Sequence, residues 1–199
     1  ALLGSAHHKL LEEQEDSVII PEIPFETDIA GTSDSLEWDD RLGGYILTDY
    51  KTWGSFRVAK ALGLVKEGKG KYARFTEVED RKDLHDVNMQ LNMYRIGLEG
   101  TGWKPIKQLQ VQATVRDGGT YMARNNGIDK KIYTIPIDIL LDDYVNKFFD
   151  IRSKMLKMAI DNNHMPYPCD DRESWGGRRC AGYCEVANYC PKGRAALAK

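Results

Sequence analysis

Two aspartates and a lysine give the first hint of chemistry. In Tyr45-Ile-Leu-Thr-Asp49-Tyr-Lys51 the period of two of an extended chain puts Leu47, Asp49 and Lys51 on one face. A second extended segment, Ala30–Leu36, carries Asp34. If the loop joining the two is centred near Arg41 and Leu42, Asp34 falls opposite Asp49 on that same face. Two carboxylates about 5 Å apart repel by roughly 3 kcal/mol at an effective dielectric of 20, so facing like charges are normally avoided in sheets. A divalent cation removes the conflict, and oxygen donors suit Mg2+ or Mn2+. Lys51 adds a positive charge able to hold a water or a phosphoryl oxygen. By repulsion alone, Asp34→Ala is expected to raise stability in the absence of metal. An isolated Asp-x-Lys is equally an exposed ion pair, and Asp34 equally a turn residue. The apolar Ile46 and Leu47 point instead to a central strand.

Four cysteines form the second group: Cys169, Cys180, Cys184 and Cys190, all within 22 residues and followed directly by Pro191. Disulfide frameworks spread their cysteines through the fold, so a cluster of this kind reads as one ligand set in a reducing compartment. Four thiolates hold either a [4Fe-4S] cluster or a tetrahedral zinc ion. A proline after the last ligand and the lack of a tight Cys-x-x-Cys knuckle favour the cluster, with Zn2+ as the alternative. In either case the metal is expected to be structural, because this segment has little apolar sequence to pack by itself.

The elements that must position these groups follow from periodicity and punctuation. The spacing predicts a helix over residues 2–14, on which His8 and Glu12 share a face. Ile19–Phe25 is an extended run broken by Pro21 and Pro24, which suits a sheet edge. After the two Asp-bearing strands, Ser55 is expected to cap a short helix ending at Gly63, and Glu67–Lys71 to form a loop. Asp83–Leu98 is a helix with Val87, Leu91, Tyr94 and Leu98 on one face, stopped by Gly100 and Gly102. Gln90 shares that apolar stripe, so its amide needs a partner. Leu109–Val115 and Ile132–Ile137 are strands separated by a loop at Arg116–Asp129. Asp142–Ile160 is a long amphipathic helix, and the chain turns irregular from Asn162. The class is α/β, a mixed central β-sheet flanked by helices, divided into a core at 1–161 and a Cys-rich metal-binding cap at 162–199.

Composition narrows the partners. With 28 Lys+Arg against 30 Asp+Glu in 199 residues, the net charge of -2 excludes a generally basic polyanion binder. Nucleic acid would have to meet a local patch, and Trp53, Phe56, Arg57 and Lys60, directly after Lys51, combine rings for stacking with cations for phosphate. Trp53 and Phe56 are equally candidates for the core. No apolar run approaches the roughly 20 residues of a membrane span, so no membrane partner is expected.

Gly31-Thr-Ser-Asp34 followed by Ile46-Leu-Thr-Asp49-Tyr-Lys51-Thr52 resembles the metal-site motifs of the PD-(D/E)XK nucleases. The similarity is to the RecB-like branch, which includes the CRISPR-associated iron–sulfur exonucleases. That branch has an upstream Gly-x-x-x-His-x-x-x-Glu, matched by Gly4 through His8 to Glu12, and a Gln-x-x-x-Tyr, matched by Gln90 and Tyr94. In cluster-bearing members one cysteine precedes the histidine helix and three close the chain; here Cys169 stands in for the early one. The resemblance implies a restriction-endonuclease-like core in which His8, Asp34, Asp49 and the Tyr50 carbonyl bind the catalytic metal. Lys51 would position the attacking water, and Gln90 and Tyr94 would orient lysine or phosphate. It also implies cluster ligation by Cys169, Cys180, Cys184 and Cys190. The implied activity is hydrolysis of DNA, by an exonuclease on single-stranded ends. The alternatives are a structure-specific or restriction-type endonuclease and a non-catalytic nucleic-acid-binding module. Its setting would be the cytoplasm of a prokaryotic or phage-infected cell, beside CRISPR-adaptation, recombination or repair proteins.

Overall fold

A computed structural model describes residues 19–26, 30–68 and 73–198 of the chain. The helix expected over residues 2–14, with His8 and Glu12, lies outside the described residues.

Five strands form one mixed sheet in the order β1-β2-β3-β6-β7. They are β1 (Ile19–Glu26), β2 (Ala30–Asp39), β3 (Gly44–Trp53), β6 (Ile106–Val115) and β7 (Ile132–Ile137). The first three run antiparallel, β6 is parallel to β3, and β7 returns antiparallel to β6. β1 is an edge, where its two prolines remove no ladder bond from a strand beyond. The β2–β3 turn is centred on Arg41 and Leu42. There the Asp39 carboxylate accepts the N–H groups of Arg41 (2.7 Å) and Leu42 (3.0 Å), and Gly43 takes the positive φ of 59° that closes it.

The parallel β3–β6 pair demands a crossover. Its parts are α1 (Ser55–Ala61), a hairpin of β4 (Leu64–Glu67) with β5 (Arg74–Glu77), and α2 (His85–Gly100). Val87, Leu91 and Leu98 of α2 are buried with Leu36, Leu47, Leu109 and Val111 of the sheet in one apolar cluster. Gly97 sits inside this helix, where glycine costs up to about 1 kcal/mol relative to alanine. A methyl group there would overlap the Phe25 ring, so the residue that weakens the helix lets β1 pack onto it.

A neighbouring face of α2 carries a polar clamp. Asn92, fully buried, donates its amide to the carbonyls of Asn88 and Asp138 (2.8 Å each) and accepts the Leu140 N–H (2.8 Å). Arg95 bonds Glu99 (2.9 Å), the Leu140 carbonyl (3.1 Å) and Asp142, while Glu99 accepts the Ile106 N–H (3.0 Å). Asn92 and Arg95 thus satisfy the backbone of the irregular connection after β7, and Glu99 that at the start of β6, as buried polar groups require.

Several expectations change. Ser55 is the first helical residue rather than the cap, which is Gly54. The strand β4 runs through Glu67, the first residue of the expected loop, residues 69–71 of that loop lying outside the described residues, and Arg116–Asp129 contains a short helix, α3 (Tyr121–Asn125), capped by the Thr120 side chain. The chain divides into two compact units, 1–145 and 146–199, so the break falls inside α4 (Asp142–Asp161) rather than after it. The reason is that Val145 is the only buried residue of this helix. The amphipathic pattern holds, but Ile151, Met155, Leu156, Met158 and Ile160 are exposed.

The second unit also contains α5 (Arg178–Gly182) and α6 (Pro191–Leu197). Its buried residues, among those described, are Ser174, Cys180, Ala187 and Gly193. Among the described residues no helix is long and apolar enough to cross a membrane.

Candidate active site

The hairpin register sets the site. Ladder pairs between β2 and β3 run from Asp39↔Gly44 to Ser35↔Thr48, so Asp34 and Asp49 come next in register, as the turn position implies. There the backbone ladder ends and a side chain continues it: the Tyr50 N–H donates to Asp34 Oδ2 at 2.7 Å. From Asp49 to Trp53 the ladder pairs of β3 are with β6 alone. Both aspartates therefore lie where β2 and β3 part. The bond to Tyr50 also corrects the repulsion argument, because removing Asp34 takes away an acceptor as well as a charge.

Asp49 is 2% exposed, on the central strand. Lys51, two residues on, places Nζ 3.0 Å from Oδ1 and 2.8 Å from Oδ2 of that carboxylate. A carboxylate so far from water needs a charged or hydrogen-bonding partner. The lysine supplies one while keeping 26% of its own side chain in solvent. Its ammonium is thus anchored to Asp49.

Gln90 and Tyr94 are half-buried on α2, less enclosed than an apolar stripe suggests. The partner of the Gln90 amide is the Tyr94 hydroxyl at 2.9 Å, one turn along the same helix, rather than Lys51. The Tyr94 ring meets Phe25 edge-on at 5.5 Å. The two residues hold each other, and the pair is fixed to the core through the aromatic contact.

Beyond Lys51 the patch on α1 is also more specific than its composition. Arg57 lies over the Trp53 ring at 4.7 Å and Lys60 over the Phe56 ring at 5.4 Å. Trp53 packs against the core, whereas Phe56 is 52% exposed. The two rings therefore take one each of the two roles open to them, core and surface.

Asp117 was not legible in advance. Its carboxylate accepts the Ser55 hydroxyl at 2.6 Å and the Ser55 N–H at 2.7 Å, and Asn126 donates to the same hydroxyl at 2.8 Å. Chiefly the hydroxyl bond, then the backbone one, hold Asp117 below the usual carboxylate range. This lock, spanning 62 residues of sequence, fixes the start of α1 just after the catalytic candidates. No local pattern signals a contact of that separation.

In the second unit all four cysteines are free: Cys169 is exposed, Cys180 buried, Cys184 and Cys190 half-buried. Lys192 Nζ bonds the Cys169 carbonyl at 2.9 Å and Asp171 at 3.0 Å. Among the described residues no group of three or more His, Cys, Asp or Glu side chains is gathered around a point that could hold a metal ion.

No model of a known protein family matches the chain, and no curated protein matches it either.

Proposed function

We propose that the first unit is a divalent-metal-dependent DNA nuclease of PD-(D/E)XK type, acting as an exonuclease on single-stranded ends. The observation that carries the reading is the buried Asp49 carboxylate, tied to Lys51 and adjacent in register to Asp34, at the point where two strands separate. The topology supports it. An antiparallel trio leads through a crossover to a strand parallel with the third, and the acids lie side by side in register on the second and third strands.

The residues suit a hard cation. Asp34 and Asp49 offer oxygen donors side by side, and they would hold Mg2+ or Mn2+ with the Tyr50 carbonyl and, by the resemblance, His8. Such an ion, when bound, lowers the pKa of a water and offsets charge on the scissile phosphate. Lys51 then has two tasks: it neutralises Asp49, and its ammonium donates to the attacking water or a phosphoryl oxygen. Water forms the new P–O bond, the bridging P–O bond breaks, and the leaving oxygen takes up a proton. Gln90 and Tyr94 present a paired amide and hydroxyl for orienting phosphate.

In the second unit Cys169, Cys180, Cys184 and Cys190 are proposed to hold a [4Fe-4S] cluster, with structural zinc as the alternative. Free thiols and a nearly absent apolar core suit a metal-held segment, which draws its ligands together on binding.

The test uses labelled linear and circular single-stranded DNA with Mn2+, against an EDTA control and Lys51→Ala. Loss of the linear strand alone supports an exonuclease, and cutting of both forms an endonuclease. Binding without cleavage in any metal refutes the proposal.

A further inference from the structure

We propose that Asp83 is a built-in competitor for the phosphate chain of a single strand lying along α1, and so sets how tightly that surface grips nucleic acid. The inference rests on the nucleic-acid reading above and adds a residue that neither motif nor composition singles out. Arg57 and Lys60 approach the same Asp83 carboxylate oxygen, at 3.7 Å and 3.8 Å. The backbone of Asp83 is fixed to α1 from both sides. Its N–H donates to the Lys60 carbonyl at 3.0 Å, and its own carbonyl accepts Arg57 Nη1 at 2.5 Å. The carboxylate is therefore held between the two cations by the fold rather than drawn there by chance.

Each cation also covers an aromatic ring, Arg57 that of Trp53 and Lys60 that of Phe56. The surface is thus a short strip of one exposed ring, Phe56, and two positive charges, Arg57 seated on the core-packed Trp53, with one negative charge between them. A phosphodiester group carries one negative charge and oxygens that accept from guanidinium and ammonium as a carboxylate does. It can take the place of Asp83, and an unpaired base can stack on the exposed Phe56. Arg57, Lys60 and Asp83 keep between 30% and 46% of their side chains in solvent, where such bridges are weak. Displacement is easy, but every bound strand gives up those bridges. A lone phosphate gains too little in exchange, whereas a strand that adds stacking and neighbouring phosphates prevails. The surface therefore favours polymer over small anions and binds it loosely enough to let it move.

The measurement is fluorescence anisotropy of a labelled single-stranded oligothymidine with full-length protein in EDTA, across a salt series. Asp83→Asn should tighten binding about 3- to 10-fold at low salt, the gain shrinking as salt rises. Adding Arg57→Gln and Lys60→Gln should abolish that gain, and in the Asp83 background the same pair should weaken binding. Inorganic phosphate should displace the strand from neither protein at concentrations near the strand's own Kd. Unchanged or weaker binding by Asp83→Asn, with an unchanged melting temperature, overturns the inference. A misfolded Asp83→Asn leaves the Arg57→Gln/Lys60→Gln protein to decide it: unchanged binding there overturns it equally. Because cleavage is not scored, this pattern of binding in a protein that never cuts DNA would sink the nuclease reading and leave the role of Asp83 standing.

Discussion

Replacing Lys51 with alanine is the most revealing perturbation, because the structure gives the lysine a structural duty as well as a chemical one. Its ammonium lies 2.8 Å from Oδ2 of the buried Asp49. Breaking a buried pair from one side typically costs about 3–5 kcal/mol, since the remaining charge stays uncompensated. An upper limit comes from the alternative open to Asp49, which is to take up a proton. For a carboxyl of ordinary pKa that costs about 4 kcal/mol at pH 7 and about 1.5 kcal/mol at pH 5. The partial exposure of Lys51 lets water replace some of what is lost, so the destabilisation at pH 7 should be about 2–4 kcal/mol. It should fall below about 1.5 kcal/mol at pH 5. The sign follows from linkage: a buried carboxylate that has lost a neighbouring cation binds its proton more readily when folded, so the variant regains stability relative to wild type as pH falls. Urea denaturation at both pH values in EDTA measures this, and adding Asp49→Asn to Lys51→Ala should restore most of the loss. A deficit under about 0.5 kcal/mol that does not change with pH would refute the reasoning and make Lys51 a surface residue.

Three other outcomes are expected. Asp34→Ala should lower stability by about 1–2 kcal/mol, because the Tyr50 N–H loses its acceptor, whereas Asp34→Asn should keep stability and lose cleavage; denaturant midpoints and the nuclease assay on one preparation separate the two. The depressed pKa of Asp117 contributes stability that is present above its unfolded pKa and is lost as pH falls through its folded value. Ser55→Ala should therefore destabilise at neutral pH and flatten the acid limb of a Trp fluorescence titration, and an acid limb identical to wild type would remove the lock from consideration. Cys184→Ala or Cys190→Ala should lose bound iron or zinc and open the 146–199 unit to protease while leaving 1–145 resistant, and ready alkylation of all four thiols in native protein would show that no metal centre forms.

Where the physics is local, the sequence was legible. The turn at Arg41 and Leu42, the central position of β3, the edge position of β1 and the helix ending near Gly100 all follow from alternation, proline and glycine within a few residues. So does the adjacency of Asp34 and Asp49, which needs only a hairpin register. What was not legible depends on distant partners. The β4–β5 hairpin and α3 lie among glycines and polar residues whose short-range signal is that of loops. Asp83 and Asp117 act on α1 from 26 and 62 residues away. The helix α4 has a regular amphipathic pattern, yet periodicity cannot tell a face turned to the core from one left exposed, so the break between units at 145 carries no sequence signal.

Asn92 has a consequence for how the chain could be altered. The stretch from Asp138 to Leu140 has no regular structure of its own, and its course is dictated by an amide 46 to 48 residues upstream. That amide is read in both directions, as donor to Asp138 and as acceptor from Leu140, so neither aspartate nor leucine of similar size can substitute for it. The route from the last strand to the last long helix is thus stored on α2 rather than in the residues that follow it. Transplanted onto another scaffold, the connection would arrive without its instructions; kept with α2, it could be rewritten almost freely in side chains, since only its backbone is recognised.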